Sequence, residues 1–343
     1  MIFLGDIAIP NDRVFGDFSG DKIFKNKISV ANLEGGINCG YDIGLDSNFC
    51  FNSCAVIDHL HRLNVKVVSL ANNHITDIGR SPRITKEKLT ENNIRSCGAG
   101  DSIDEASQPV IYEQNGNTYV FLAFGWEVIN CIPATRSTGG INPLIPDHVF
   151  NSVKFCRERY PDAFIILLMH WGYELERFPL PMQRKLAFDL VDFGVNAIIG
   201  HHSHCVQGIE IYNNAPIVYS LGNWFFPQEV YNSGRVRFPD YSLRQIAFEW
   251  NPLSNEMLCH WFTYKRTGHT VVYDTSEVFE ESERIRSLTP YVDMNHKDYI
   301  TWFKKNRIKK KFLPVYKDHN ERLKNSMFDA WVGLRHKIIK IVR

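Results

Sequence analysis

No stretch of the 343-residue chain approaches the roughly 20 consecutive apolar residues that a membrane-spanning helix needs, so a membrane-embedded protein is not expected. A strong charge of one sign is also missing. The 39 Lys/Arg offset 38 Asp/Glu to leave a formal net charge of +1, and no nucleic-acid partner is expected from that balance. Cysteine occurs eight times, at Cys39, Cys50, Cys54, Cys97, Cys131, Cys156, Cys205 and Cys259, but never as a CxxC pair. That scatter predicts reduced thiols rather than a disulfide framework. Met1-Ile2-Phe3-Leu4 runs directly into Gly5-Asp6 with neither a basic region nor a long apolar segment. No signal peptide is therefore expected, and a cytoplasmic location follows as the working expectation.

What is present is enough apolar material for a sizeable core, 44% hydrophobic and 13% aromatic. The length suits one large α/β domain with insertions or two smaller domains. Charge is unevenly spread, since residues 301–343 hold thirteen Lys/Arg against three Asp/Glu. The body is acidic and the tail basic. Lys304 to Lys311 is a basic run, Pro314 interrupts it, and Arg322 to Arg343 mixes cations with Met327, Phe328, Trp331, Leu334, Ile338, Ile339 and Ile341. This reads as a basic amphipathic helix, suited either to an anionic surface at the inner face of a membrane or to docking on the core. The expected division is a body at 1–275 and a basic, partly helical extension at 276–343.

Apolar runs bounded by glycine or polar residues predict buried strands at Ile2 to Leu4, Ile28 to Leu33, Val65 to Leu70, Ala163 to Met169 and Val195 to Ile199. Helical spacing separates them, at Ala55 to Asn64, from Ser81-Pro82 to about Asn93, at Val149 to Arg159 and at Gln183 to Phe193. Residues 36–52 and 125–143 read as loops, the second long enough to be functional. Alternation from Tyr241 to Val272 predicts antiparallel strands. Together these give a layered sandwich of sheet flanked by helices.

The strands end in chemistry. Asp6 and Glu34 follow the first two, Asn72-Asn73-His74 the third, His170 with Gly172 and Glu174 the next, and Gly200-His201-His202-Ser203-His204 the last. Ligands of open α/β sheets collect at the carboxyl ends of strands. A His-x-His pair on an extended turn points both rings to one side, which favours His202 and His204 over His201. Asp6, Glu34, Asn73, His170, His202 and His204 are oxygen and nitrogen donors with no thiolate among them. Such a set suits one or two divalent ions, Mn, Fe or Zn, better than a structural zinc site. Two ions bridged by a carboxylate form a clamp for attack by bound hydroxide, most often on a phosphoester. Ser220 and Asn223, after the strand at Ala215, either orient histidines or close a turn.

The series Gly5-Asp6, Asn32-Leu33-Glu34-Gly35, Leu70-Ala71-Asn72-Asn73-His74 with Asp77 and Gly79, His170-Trp171-Gly172 with Glu174, Gly200-His201-His202-Ser203-His204 and Tyr219-Ser220-Leu221-Gly222-Asn223 resembles the CapA family of capsule and poly-γ-glutamate synthesis proteins. That family belongs to the calcineurin-like metallophosphoesterase superfamily, and the resemblance spans roughly residues 1–250. It implies a four-layer α/β/β/α sandwich in which Asp6 and His204 serve a first metal, Glu34 bridges, and Asn73, His170 and His202 serve a second. It further implies that His74 gives a proton to the leaving group, with Asn72, Asp77, Glu174, His201, Ser220 and Asn223 around the ligands or substrate. The implied activity is hydrolysis of a phosphoester, or of a glycan or poly-glutamate, in surface-polymer synthesis. The alternative is a non-catalytic accessory of a membrane synthase complex that binds an acidic polymer or partner. Two positions depart from the superfamily pattern: Ala8 stands where a first-metal histidine is found, and the bridging acid is Glu34 rather than Asp.

Overall fold

Two sheets facing one another form the centre of the computed structural model, which describes residues 1–11, 18–39, 49–308 and 313–342. In chain order the strands of these two sheets are β1 (Ile2–Ile7), β2 (Ser29–Leu33), β3 (Val65–Ser69), β4 (Arg95–Cys97), β5 (Val110–Gln114), β6 (Asn117–Gly125), β7 (Phe164–His170), β8 (Ala197–His201), β9 (Ile209–Tyr212), β10 (Ala215–Val218), β11 (Asn223–Phe225), β12 (Arg244–Trp250), β13 (Met257–Lys265) and β14 (Thr270–Val278). The first sheet runs β14-β13-β12-β1-β2-β3-β4 with β11 also paired to β1, and the second runs β9-β10-β8-β7-β6-β5. Their central strands are parallel: β1 to β2, β2 to β3, β6 to β7 and β7 to β8. Strands of this kind are buried on both faces, which is why they read as continuous apolar runs.

Alternation along each strand divides the core. Phe3, Val30 and Val67 of the first sheet pack with Phe121, Ile166 and Ile199 of the second in one inter-sheet cluster. Leu4, Ala31 and Val68 turn the other way, toward Val56, Leu60 and Leu89, while Leu167 and Ile198 turn toward Val153, Leu186 and Leu190. These last residues belong to helices Val56–Arg62, Arg83–Glu91, Pro146–Arg159 and Pro181–Asp192. The result is the expected four-layer α/β/β/α sandwich. The close approach of strands explains two glycines. A Cβ on Gly200 would sit 1.9 Å from the Tyr219 carbonyl oxygen, and one on Gly5 would sit 2.1 Å from that of Gly222, so no larger residue fits without moving backbone.

Some expectations need correction. The first strand continues through Gly5 and Asp6 to Ile7, so Asp6 lies within a strand rather than beyond its end. The run from Ala215 is two strands in different sheets, β10 and β11, joined by a turn. The 36–52 stretch is not wholly irregular, since Gly36–Ile37 pairs with Phe51–Asn52; residues 40–48 lie outside the described residues. Cys39 and Cys54 form a disulfide with Cα atoms 5.5 Å apart, against the expectation of reduced thiols throughout. A separation of fifteen residues is no recognisable motif, and only the fold brings these two together. The other six cysteines are buried and outside any disulfide among the described residues.

The extension packs on the body. Tyr291, Tyr299, Phe303 and Tyr316 are buried, the Tyr299 hydroxyl donates to the Pro179 carbonyl at 2.6 Å, and the Tyr173 hydroxyl to the Pro314 carbonyl at 3.1 Å. Beneath them Arg184 donates to both Glu210 oxygens, at 2.8 and 2.7 Å, and to the Met294 carbonyl at 2.7 Å. Helix His296–Asn306 is capped by the Asn295 side chain, and the last helix is Arg322–Val342. Of the basic run, Lys309, Lys310 and Lys311 lie outside the described residues. No described helix is long and apolar enough to cross a membrane.

Candidate metal centre

Register assembles the site. Asp6 on β1 lies opposite Asn32 on β2 and Asn223 on β11, and His170 at the end of β7 lies opposite His201 on β8. The Asn32 amide donates to Asp6 Oδ1 at 2.8 Å and to Glu34 Oε2 at 2.6 Å, holding two buried carboxylates side by side. Asn72 donates to the Leu33 carbonyl at 2.7 Å, and its Oδ1 accepts from the Gly35 and His74 backbone N–H groups, which fixes the loops carrying Glu34 and His74. His74 Nδ1 is 2.7 Å from Asp77 Oδ2 and its Nε2 is 4.0 Å from Glu34 Oε1. His170 Nε2 lies 2.8 Å from Asn73 Oδ1 and 3.7 Å from Glu34 Oε1.

On the other side His204 Nδ1 is 3.3 Å from Asp6 Oδ2 and 2.9 Å from Asn223 Oδ1. Its ring stacks on Phe238 at 4.7 Å and meets Phe226 edge-on at 5.2 Å. The His202 ring lies between those of His170 and His204, with centroids 4.9 and 6.0 Å away. The turn carrying these rings is not extended: His202 has φ +90° and His204 φ +54°. Left-handed backbone at two non-glycine residues is costly, and such residues gather at functional sites.

Burial and neighbours set the charges. Burial, reinforced by Asp6 nearby, pushes the Glu34 carboxyl up to about 7. Burial also acts against the charged forms of Asp6 and His204, but their mutual hydrogen bond and attraction overcome it. Asp6 falls below the usual carboxylate range, and His204 rises to about 9. Burial and the nearby His204 bring His202 down to about 3, and burial with the surrounding histidines holds His170 well below its ordinary value. For His74 burial opposes charge, but the bond to Asp77 raises it.

All six expected donors are therefore near one another, and Asp6, Glu34 and His170 each place a ligand atom within 4.8 Å of the others. His74 and Asp77 stand beside them. His201 faces away, its Nε2 3.2 Å from the Leu4 carbonyl. Asn223 orients His204, whereas Ser220 accepts from the Gly222 N–H at 3.2 Å and closes the turn. Glu174 is exposed and contributes to the site only through its charge on His204. Asn32 was not among the expected site residues. Its signal was available as a polar residue inside an apolar strand, but its reach to both carboxylates depends on the pairing of β1 with β2. Phe226 and Phe238 had no local signal.

The donor set fits a divalent cation. Glu34 Oε1, His170 Nδ1 and His202 Nδ1 are buried with no hydrogen-bond partner among the described residues, and a buried polar group left so costs about 1–3 kcal/mol. A cation would give the Glu34 oxygen the partner it lacks. Ala8 is buried with Phe226 and Phe238 in a small apolar cluster, so the His204 side of the site is walled by carbon. A cavity of about 700 Å³ lies elsewhere, between Trp126 and the last helix, and none of the site residues lines it.

The profile of the family described as "Bacterial capsule synthesis protein PGA_cap" matches residues 10–228, more than half of the chain. The PGA biosynthesis protein CapA of Bacillus subtilis (strain 168) is 33% identical over 194 residues, 56% of this chain and 49% of that protein. A probable polyglutamine synthesis accessory protein of Mycobacterium tuberculosis (strain ATCC 25618 / H37Rv) is 28% identical over 174 residues, covering 48% and 46%. The chain thus spans about half the length of these relatives. Among solved structures, the 5'-nucleotidase precursor of Thermus thermophilus aligns with 14% identity and a TM-score of 0.33, covering 65% of this chain and 40% of that one.

Proposed function

The chain belongs to the PGA_cap family of bacterial capsule synthesis proteins, and from that premise we propose that it is a metal-dependent hydrolase, a phosphoesterase, serving capsule or poly-γ-glutamate production. The observation that carries the reading is the convergence of Asp6, Glu34 and His170 within 4.8 Å, with His74 facing Glu34 across the site. Asp6, Glu34, Asn73, His170, His202 and His204 would hold one or two divalent ions, Mn, Fe or Zn, with the fuller ligand set on the Asn73 side. A divalent ion supplies Lewis-acid polarisation of the scissile ester and makes water acidic enough to attack it. His74 keeps Nδ1 on Asp77 at 2.7 Å, which leaves Nε2 to carry a proton to the leaving oxygen. Asn32 and Asn72 hold the acids and the His74 loop in place.

Two observations favour a second reading, an accessory that binds an acidic polymer or a synthase component. Ala8 replaces a donor on the His204 side, and the M. tuberculosis relative is named as an accessory protein. Both readings place the chain with polymer-synthesis machinery. Assays of aryl phosphate mono- and diesters with added Mn separate them. We expect Mn-dependent turnover that falls about 10²–10⁴-fold in His74→Asn while metal content is unchanged. No turnover from metal-loaded wild type, together with poly-γ-glutamate binding that His74→Asn leaves intact, would overturn the hydrolase reading in favour of the accessory.

A further inference from the structure

Helix Arg322–Val342 rests on the body by one side only. Val332 is 1% exposed, and Phe328, on the same flank, meets Tyr316 edge-on at 5.4 Å. Leu323, Met327, Trp331, Leu334 and Ile338 lie on another side and are 87%, 72%, 42%, 58% and 52% exposed. Their spacing of four, four, three and four residues makes one continuous stripe, about 22 Å long at 1.5 Å per residue. Five large apolar side chains aligned in water call for an occupant.

Charge identifies it. At 100° per residue, Arg335 falls on one shoulder of the stripe and Lys337 on the other, while Lys324 is paired with Glu321 at 2.8 Å. The helix has a single carboxylate, Asp329, which lies away from the stripe and accepts from the Tyr316 hydroxyl at 2.7 Å. A second copy laid stripe to stripe would bring cations against cations with no acid on either shoulder to receive them. An anionic bilayer offers apolar depth to the stripe and phosphate to the shoulders. The helix does not meet the requirement for a span, so it would lie in the plane of the interface. We propose that this stripe docks the protein on the surface of an anionic lipid bilayer, which would also orient the domain at the membrane.

Co-sedimentation of the full chain with vesicles tests this. Binding is expected to phosphatidylcholine vesicles containing phosphatidylglycerol and not to phosphatidylcholine alone, and it should weaken as salt is added. Arg335→Gln with Lys337→Gln should lower affinity about fivefold for each charge removed, and Met327→Ser with Leu334→Ser should abolish binding. Met327, Leu334 and Lys337 are exposed and Arg335 half-buried, and none of them is in the core, so circular dichroism and thermal unfolding should match wild type; the salt and lipid dependence of the unaltered protein is a test that needs no variant. Equal binding to neutral vesicles, or no binding to either, would overturn the proposal. So would a concentration-dependent dimer in sedimentation velocity that Leu334→Ser disperses, which would make a second copy the occupant.

Discussion

Among the described residues, the cluster around His260 and the cluster at the strand ends both join histidine to carboxylate, and they differ in what is left over. On the first sheet, His260 of β13 has Nδ1 2.6 Å from Ser276 Oγ and Nε2 2.9 Å from Glu249 Oε2, while Lys27 donates to the same Glu249 oxygen at 2.7 Å. Both ring nitrogens are partnered by neighbouring strands. At the strand ends, Glu34 Oε1, His170 Nδ1 and His202 Nδ1 are buried without hydrogen-bond partners among the described residues, and His202 and His204 carry left-handed backbone as well. A network with every group satisfied stabilises a fold by itself. One that is buried, crowded and incomplete lowers stability unless something binds to it, and the unpartnered Glu34 oxygen beside Asp6 and His170 is where such a ligand would sit.

The largest contrast should come from metal. His202→Ala should lose divalent-metal binding by more than the 10- to 100-fold that removal of an outer partner costs, as read by metal analysis after dialysis. His260→Ala should bind metal as wild type does and instead lose about 1–3 kcal/mol of stability in urea unfolding. Equal metal loss in both variants would break the comparison. The satisfied side has a deeper member in Arg184 and Glu210, both nearly inaccessible. Arg184→Ala leaves Glu210 buried without its cation and should cost about 3–5 kcal/mol with metal binding unchanged.

A smaller effect tests Glu249 by pH. Burial acts to raise its carboxyl, but the bond to His260 and the charge of Lys27 hold it below its ordinary 4.5. A carboxyl lowered in the folded state contributes stability that is complete above the unfolded value and lost as pH falls through the folded one. Thermal unfolding of wild type should therefore lose stability below about pH 4.5, and Glu249→Gln should flatten that part of the profile. An unchanged slope would remove Glu249 from the satisfied network.

Much of the fold and site could be read along the chain because burial leaves a local trace. Val65 to Ser69 and Phe164 to His170 are apolar runs because parallel strands are covered on both faces, and Asn73, His170 and His202 stand out as polar residues at their ends. Asn32 was harder, since one amide inside a strand becomes a clamp only when Asp6 and Glu34 come to its two sides. The left-handed turn at His202 and His204 left little trace, because histidine adopts positive φ far less readily than glycine. The Cys39–Cys54 bridge and the division of β10 from β11 likewise depend on pairings between distant segments.

The last helix shows where the boundary falls. From the sequence alone follow an amphipathic, cationic helix after Pro314, the chain of strand-end donors from Asp6 to His204 and the layered α/β sandwich, because each is written in the spacing of neighbouring residues. Only the tertiary structure decided that Val332 and Phe328 face the body while Leu323, Met327 and Trp331 face water, and that Asp6 meets His204 directly with Phe238 and Ala8 beside them. Periodicity states that a helix has sides. Which side is covered depends on the shape of what it meets.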